Sequence, residues 1–408
     1  MRILYISPDY PRPDSGSNIY TDLAVALKNN GHTVKVVVSE EKKKIDQTKE
    51  FKERELPVLR VRTGNMYEVG FVEKTLTFLN VSKELIKAIK EYYSNDQFDL
   101  ILFSSPPATL HKVVKWAMKK YKCPSYLMMK DIFPQNGADI GLYKRFSPIY
   151  IFFRRHEKKL YKTSSVIGCM SPGNIEYIRD HNRYLKKKQI ELFPNTIEIK
   201  EKDKLSMEEK AAIRKKYGCQ KADVIALYGG NFGKPQGLDF LPEIFETYKH
   251  KKNLKFILIG RGTEKERLFK IIKERNYHNV ITYDYIPREE YEKLTAVCDI
   301  GLIFLDKRFT IPNYPSRTLS YVESSLPIMA AIDLNTDYGK TLEKFKIGYR
   351  VENGNIKAFK KYFDKLVDDH KLRREMGKNA RKYFEQECDV KKTVRILEKF
   401  IEQKKEKK

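Results

Sequence analysis

The chain has 408 residues, more than one hydrophobic core usually spans, and its 41% hydrophobic and 12% aromatic content excludes a largely disordered polypeptide. Its five cysteines stand singly, with no C-x-x-C pair and no Cys/His spacing that suits zinc, which excludes a disulfide scaffold and fits a reducing compartment. A net charge of +26 points to nucleic acid, an anionic membrane surface or anionic small substrates as partners, unless it records a Lys-favouring genome and solvated helices.

Met1-Arg2-Ile3-Leu4-Tyr5-Ile6-Ser7 is short, apolar and followed at once by Pro8 and Asp9. It reads as a first buried strand and not as a signal peptide, and no apolar run approaches the ~20 residues of a membrane span. A cytoplasmic chain is the expectation. Strand-like runs follow at 33–38, 58–61, 100–103, 125–129, 166–169 and 190–193, with helical patterns such as 18–30 and 76–92 between them. Gly31 stands where a helix C-cap is expected. Around 194–205 polar and charged residues replace the periodicity. The pattern restarts with strands at 224–228, 254–259, 280–282, 300–304, 328–331 and 348–351 and helices at 238–249, 265–274 and 289–297. Residues 373–408 are helical with no strand after them, and their final lysines are expected to fray.

Repeated strand-then-helix order predicts an α/β protein with parallel sheets covered by helices on both faces. We expect two Rossmann-like domains facing a cleft, 1–196 and 197–380, and a C-terminal helix at 381–408 that crosses back to the first. Ligands of such sheets bind beyond the strand ends, so chemistry is sought there.

After the first strand runs Ser7-Pro8-Asp9-Tyr10-Pro11-Arg12-Pro13-Asp14-Ser15-Gly16-Ser17-Asn18, a Gly16-containing turn that suits either an anion at the next helix or an ordinary connection. It lacks G-x-G-x-x-G. The first strand of the second half leads into Gly229-Gly230-Asn231-Phe232-Gly233-Lys234-Pro235-Gln236-Gly237. Its glycines allow close backbone approach, the following helix start attracts phosphate, and Lys234 adds a point charge, with no G-K-[ST] of a Walker loop. Gly260-Arg261-Gly262 supplies a cation after the next strand, or a surface turn. Asn313-Tyr314-Pro315-Ser316-Arg317 resembles a helix start whose N–H groups, with Ser316 and Arg317, would make a second anion cradle.

These segments together resemble the retaining glycosyltransferases of the GT-B fold, sequence family four, near the bacterial subgroup that builds surface polysaccharides. Gly31-His32-Thr33-Val34 resembles that family's "GH-x-V", Pro194-Asn195 its "PN", and Pro315-Ser316-Arg317 with Leu326-Pro327 its "P-S-K…G-x-P". Lys130-Asp131-Ile132-Phe133-Pro134 and Met170-Ser171-Pro172 resemble motifs at the edge of its first domain. The resemblance covers nearly the whole chain, and the order of the motifs is more specific than any one of them. Two departures stand out. The family's "G-R-x-x-x-x-K-G" reads Gly230-Asn231 and Gln236-Gly237 here, so both usual cations are replaced. The usual glutamate seven residues before the proline of "G-x-P" is Ser320, with Glu323 one turn later.

The resemblance implies transfer of a sugar, with retention, from a nucleotide-diphosphate sugar (UDP favoured) to a glycan or polyprenyl-diphosphate-linked acceptor, with no metal or other cofactor. It implies catalytic roles for Asp131, Lys234, Arg317 and Glu323. Gly16, Gly230, Asn231, Gly233, Gln236, Gly237, Arg261, Ser316 and Ser320 would bind the donor. Asp131 equally suits a helix N-cap. Residues 141–162 interleave aromatics with Lys and Arg, as at an anionic membrane interface or on a helix with a basic solvent face, and Lys186-Lys187-Lys188 adds a second basic patch. A peripheral position at the inner face of the membrane follows from the first reading. Asn231, Gln236 and Ser320 also fit a non-catalytic partner subunit of the same fold. A nucleic-acid binder has charge in its favour but no module.

Overall fold

The computed structural model describes residues 1–66, 69–200 and 205–406. Residues 201–204, inside the expected break at 194–205, and the last two lysines lie outside them. The chain divides into two compact units, Met1–Glu198 with Asp389–Lys408, and Ile199–Cys388. The borders expected at 196/197 and 380/381 thus stand at 198/199 and 388/389.

The first unit holds strands β1 (Arg2–Ser7), β2 (Thr33–Glu41), β3 (Lys49–Glu53), β4 (Leu56–Thr63), β5 (Leu100–Ser105), β6 (Ser125–Met129), β7 (Val166–Cys169) and β8 (Gln189–Leu192). Their order is β3-β4-β2-β1-β5-β6-β7-β8, parallel throughout except for β3 against β4. β1, β5 and β6 are buried on both faces, which is why they read as continuous apolar runs. β3, sequence Lys-Glu-Phe-Lys-Glu, was not expected: it is an edge strand, and edges are kept charged against further pairing, so it carries no apolar signal. Helices α1 (Ile19–Asn29), α2 (Phe71–Tyr93), α3 (His111–Tyr121), α4 (Gln135–Asp139), α5 (Pro148–Thr163) and α6 (Pro172–His181) connect the strands. Asn18 caps α1 in a reciprocal box with Thr21, and Ser147 and Ser171 cap α5 and α6 ahead of Pro148 and Pro172.

The second unit has β9 (Val224–Gly229), β10 (Leu254–Ile259), β11 (Val280–Tyr283), β12 (Ile300–Phe304), β13 (Ile328–Ile332) and β14 (Gly348–Glu352). All are parallel, in the order β11-β10-β9-β12-β13-β14. Helices α7 (Met207–Lys216), α8 (Leu241–Tyr248), α9 (Lys265–Glu274), α10 (Arg288–Thr295), α11 (Thr318–Glu323), α12 (Tyr338–Lys344), α13 (Ile356–Asp368) and α14 (His370–Glu387) surround this sheet. The helix expected from 238 opens as a 3-10 turn, Leu238–Phe240, before α8. Pro242 has no N–H to give the carbonyl of Leu238, so the α-register starts later.

The helical stretch 373–408 is split at Cys388–Asp389 into α14 and a last helix, α15 (Val390–Lys405). α15 belongs to the first unit. Val390, Val394, Leu397, Phe400 and Ile401 join Leu23, Leu27 and Tyr126 in one core, and Thr393 Oγ1 meets Thr196 Oγ1 at 2.9 Å. His32 of the "GH-x-V" segment bonds Glu398 through Nε2 at 2.8 Å, so that histidine ties the last helix down. Among the described residues no helix is long and apolar enough to cross a membrane.

Candidate functional site

In each sheet the strand order reverses at one place, between β1 and β5 and between β9 and β12. Connections leave those neighbours in opposite directions, opening a crevice beyond their C-terminal ends.

In the first unit the crevice is bordered by the loop 8–18. Its shape is held from outside by Arg54, which donates to the carbonyls of Pro11 (3.0 Å), Arg12 (3.2 Å) and Gly16. Arg54 sits in the β3–β4 turn at φ +48°, so the missed edge strand also concealed this residue. Asn18 Nδ2 donates to Asp9 at 3.0 Å across the base of the loop. Lys130 Nζ, following β6, donates to Asn195 Oδ1 at 2.7 Å, and Asn195 Nδ2 reaches Met170 Sδ at 3.4 Å. Three separated motifs thus meet at one point. Desolvation disfavours charge on the pair that follows β6: Lys130 is lowered to about 7 and Asp131 raised to about 6, each opposed by its attraction to the other. Asp131 is solvent-exposed, and water at its carboxylate offsets much of that push.

In the second unit the loops after β9 and β10 are joined backbone to backbone. Gly230 N donates to Ile259 O (2.8 Å), Phe232 N to Arg261 O (2.8 Å) and Glu264 N to Phe232 O (2.8 Å). This approach requires glycine at 260, where φ is +152° and any Cβ would strike Gly230 O. The far end of the loop is held by the strand ends beside it. Asp306 N donates to Pro235 O (3.0 Å), and Asn353 Nδ2 bridges Gly237 O (3.1 Å) and Leu305 O (2.8 Å).

Arg317 is delivered into this crevice by the long connection after β12. Its guanidinium lies 4.5 Å from the centre of the Tyr228 ring, and its Nη2 donates to Gln236 Oε1 at 2.7 Å. A Cβ on Gly230 would come within 3.0 Å of the guanidinium carbon, so the missing side chain there makes room for the cation. Its Nη1 is buried and makes no hydrogen bond. A buried cationic donor left unspent costs about 1–3 kcal/mol, which an anion in the crevice would recover. The connection carrying Arg317 is itself braced: Asn313 N donates to Thr336 Oγ1 (2.7 Å), and Asn335 Nδ2 to Phe309 O (2.6 Å).

The expected backbone cradles are occupied in part. Gln236 N and Gly237 N donate to Gly233 O and Lys234 O, while Gly230 N and Phe232 N join the two loops. α11 begins only at Thr318, and Thr318 N and Leu319 N already donate to Pro315 O and Ser316 O. The turn at Pro315-Ser316 leads directly into α11, so the N–H groups of Thr318 and Leu319 are taken within it. Lys234, Asn231 and Ser316 are exposed, and Gly233 is buried under Asn231, whose Nδ2 lies 3.1 Å from where a Cβ would stand. Arg261 is exposed and stacks on Tyr285 at 5.2 Å. Ser320 Oγ donates to Arg317 O at 2.9 Å. Glu323 closes α11, where its carbonyl accepts from Arg381 Nη1 of α14 at 3.1 Å. The structure therefore gathers Gly230, Gln236 and Arg317 into one contact set, with Tyr228 as the member the sequence did not single out. Gly16 and Asp131 belong to the first unit.

Residues 209–383 match the family model described as glycosyl transferases group 1, and residues 16–201 match glycosyltransferase family 4. The chain is 21% identical over 277 residues to a probable glycosyltransferase, WbjE, of Pseudomonas aeruginosa, an alignment covering 66% of each chain. It is 24% identical over 198 residues to a putative colanic acid biosynthesis glycosyl transferase, WcaI, of Escherichia coli, covering 45% of this chain and 48% of that one. The chain thus spans from about a third to two thirds of the length of the curated relatives it matches. Anabaena HepE, solved with UDP and glucose, has the same fold at a TM-score of 0.70 and 14% identity, covering 99% of this chain and 100% of that one.

Proposed function

We propose that this chain, built of two glycosyltransferase domains, transfers a hexosyl group from a nucleotide-diphosphate sugar, with UDP as the nucleotide, to a glycan or polyprenyl-diphosphate-linked acceptor in bacterial surface-polysaccharide synthesis. The observation that carries this reading is the buried, unspent Nη1 of Arg317 at the topological switch of the second sheet. In the reaction the bond from the sugar's anomeric carbon to the diphosphate oxygen breaks and a bond to the acceptor oxygen forms. With retention, the acceptor proton passes to the departing phosphate, so no protein nucleophile is required. Negative charge grows on that phosphate, and a fixed donor stabilises it most when growth is complete. One such donor is worth about 3–4 kcal/mol. Arg317 fills this role, oriented by Gln236 and Tyr228, and exposed Lys234 supplies a second charge. Asp131 binds acceptor hydroxyls in the first unit, and the chain works peripherally at the inner face of the membrane. UDP in the solved relative HepE and colanic acid synthesis in the E. coli relative's name support the donor and the pathway class.

The test is incubation with a panel of UDP-sugars and a polyprenyl-diphosphate-linked acceptor, with released UDP as the readout. Release that depends on acceptor is expected, and the absence of both turnover and nucleotide binding with every donor would sink the proposal. Ser320 in place of a carboxylate favours the second reading, a non-catalytic partner subunit, whose mark would be nucleotide binding without turnover.

A further inference from the structure

Among the described residues, a cavity of about 340 Å³ lies between α5 and the end of α6. Its floor is polar: Tyr150 Oη donates to Gln135 Oε1 (2.8 Å), and Tyr177 stacks on His181 with ring centres 3.9 Å apart. The one carboxylate in its lining, Glu157, is buried and already held by Arg154 and Tyr161. The mouth carries Arg145, Arg155 and Lys158, all exposed. The groove therefore has a surplus of positive charge that its own acid does not neutralise.

Phe146 and Ile151 line the same cavity as these cations and are exposed, at 68% and 39%, as is Leu142, three residues before Arg145, at 59% relative exposure. Phe146 is held at φ +67°, a conformation that costs a bulky residue about 1–2 kcal/mol, and its ring, edge-on to Tyr150 at 6.0 Å and 5.0 Å from the Arg145 guanidinium, still leaves most of its surface in solvent. An exposed apolar set next to unneutralised cations has a specific complement: a phase offering hydrocarbon and phosphate a few ångströms apart. Nucleic acid offers no partner for the aliphatic Leu142 and Ile151, which cannot stack on bases. A protein partner would need an acidic, apolar patch of the same outline, whereas an anionic lipid surface meets both requirements at once.

We infer that the groove between α5 and α6 is a docking site for the phosphate headgroup of an anionic membrane lipid, with Arg145, Arg155 and Lys158 on the phosphate and Leu142, Phe146 and Ile151 entering the acyl boundary. This rests on, and sharpens, the membrane part of the proposed function, and it is independent of the donor. Opposite charge near an anionic surface contributes a factor of roughly five in binding per Lys or Arg.

The experiment is flotation of the full chain with vesicles of phosphatidylcholine alone or with one third phosphatidylglycerol, at about 0.1 M salt. Wild type should bind the anionic vesicles and not the neutral ones. Arg155→Glu with Lys158→Glu should lose at least ~25-fold, and Phe146→Ser with Ile151→Ser should weaken binding at unchanged charge. All four side chains are exposed, so both variants should keep the wild-type melting temperature. Glycerol phosphate at millimolar level should not displace the vesicles. Equal binding to both vesicle types, unchanged binding by both variants, displacement by glycerol phosphate, or retention of an acidic protein or RNA in place of vesicles would each overturn the inference. UDP affinity measured on the same samples tests the donor reading separately: its absence would remove that reading and leave the vesicle result standing.

Discussion

Replacing Arg317 by methionine separates a ligand-binding cation from a structural one. In the folded chain the substitution removes a guanidinium stacked on Tyr228, worth about 0.5–2 kcal/mol, and a charged hydrogen bond to Gln236, worth about 1.5–3 kcal/mol. It also removes the buried, unpartnered Nη1, which relieves about 1–3 kcal/mol. Gln236 is half-buried, so water can satisfy its freed oxygen. These opposing terms leave a net loss of about 1–2 kcal/mol. At about 2–4 °C per kcal/mol for a unit of this size, the melting temperature should fall by about 2–8 °C. Function should not be spared. Losing a charge-assisted contact should weaken UDP roughly tenfold to a hundredfold in calorimetric titration, and kcat should fall roughly 10²–10³-fold. A melting temperature lowered by more than about 10 °C, with activity falling only as the folded fraction falls, would refute the reasoning. So would unchanged UDP affinity.

Three further perturbations read other parts of the molecule. Gln236→Lys restores the family's usual cation, yet it removes the acceptor of Arg317 and places like charges together, so UDP affinity should fall several-fold; a gain would show that position 236 faces the ligand directly. His111 and His156 meet at 3.0 Å beneath α5, and burial, the neighbouring histidine and nearby lysines lower His111 to about 4. The unfolded chain, with histidine near 6.5, therefore takes up a proton first, and stability present above that value is lost as pH falls through 6.5 toward 4. Chemical denaturation should lose on the order of 2 kcal/mol between pH 7.5 and 4.5, and His111→Gln should flatten that slope; equal slopes would dismiss the pair as the cause. Leu397→Ala on α15 opens a cavity in the first unit and should cost about 2–5 kcal/mol, seen as an early melting transition with UDP affinity intact. A loss of less than 1 kcal/mol would mean that α15 is not part of that core.

Much of the fold was legible along the chain because both sheets are parallel and buried on both faces. Such strands must be continuous apolar runs, and the helices between them must carry an apolar stripe. β9, β12 and β13 announce themselves in this way. β3 does not, because an edge strand is stabilised by pairing on one side and protected by charge on the other. Arg54, in the turn beyond it, was hidden for the same reason.

The glycine loop after β9 and the Pro315-Ser316-Arg317 segment were also legible, since both stand at a strand-to-helix junction. Tertiary structure decided how they are used. Composition suggested backbone N–H cradles, but hydrogen bonds between and within the loops take up several of those donors, Gly230 N and Phe232 N among them, and no local pattern reports an approach between residues 230 and 260. With the usual loop cations gone, the sequence offered Lys234, Arg261 and Arg317 as substitutes without saying which of them meets the loop. The guanidinium that reaches the loop is that of Arg317, 81 positions from Gln236, because the order β10-β9-β12 brings the connection after β12 beside the loop after β9. Sequence alone determined which residue types stand at the strand ends; packing determined which loop donors were spent on neighbouring turns and left Nη1 of Arg317 buried without a partner.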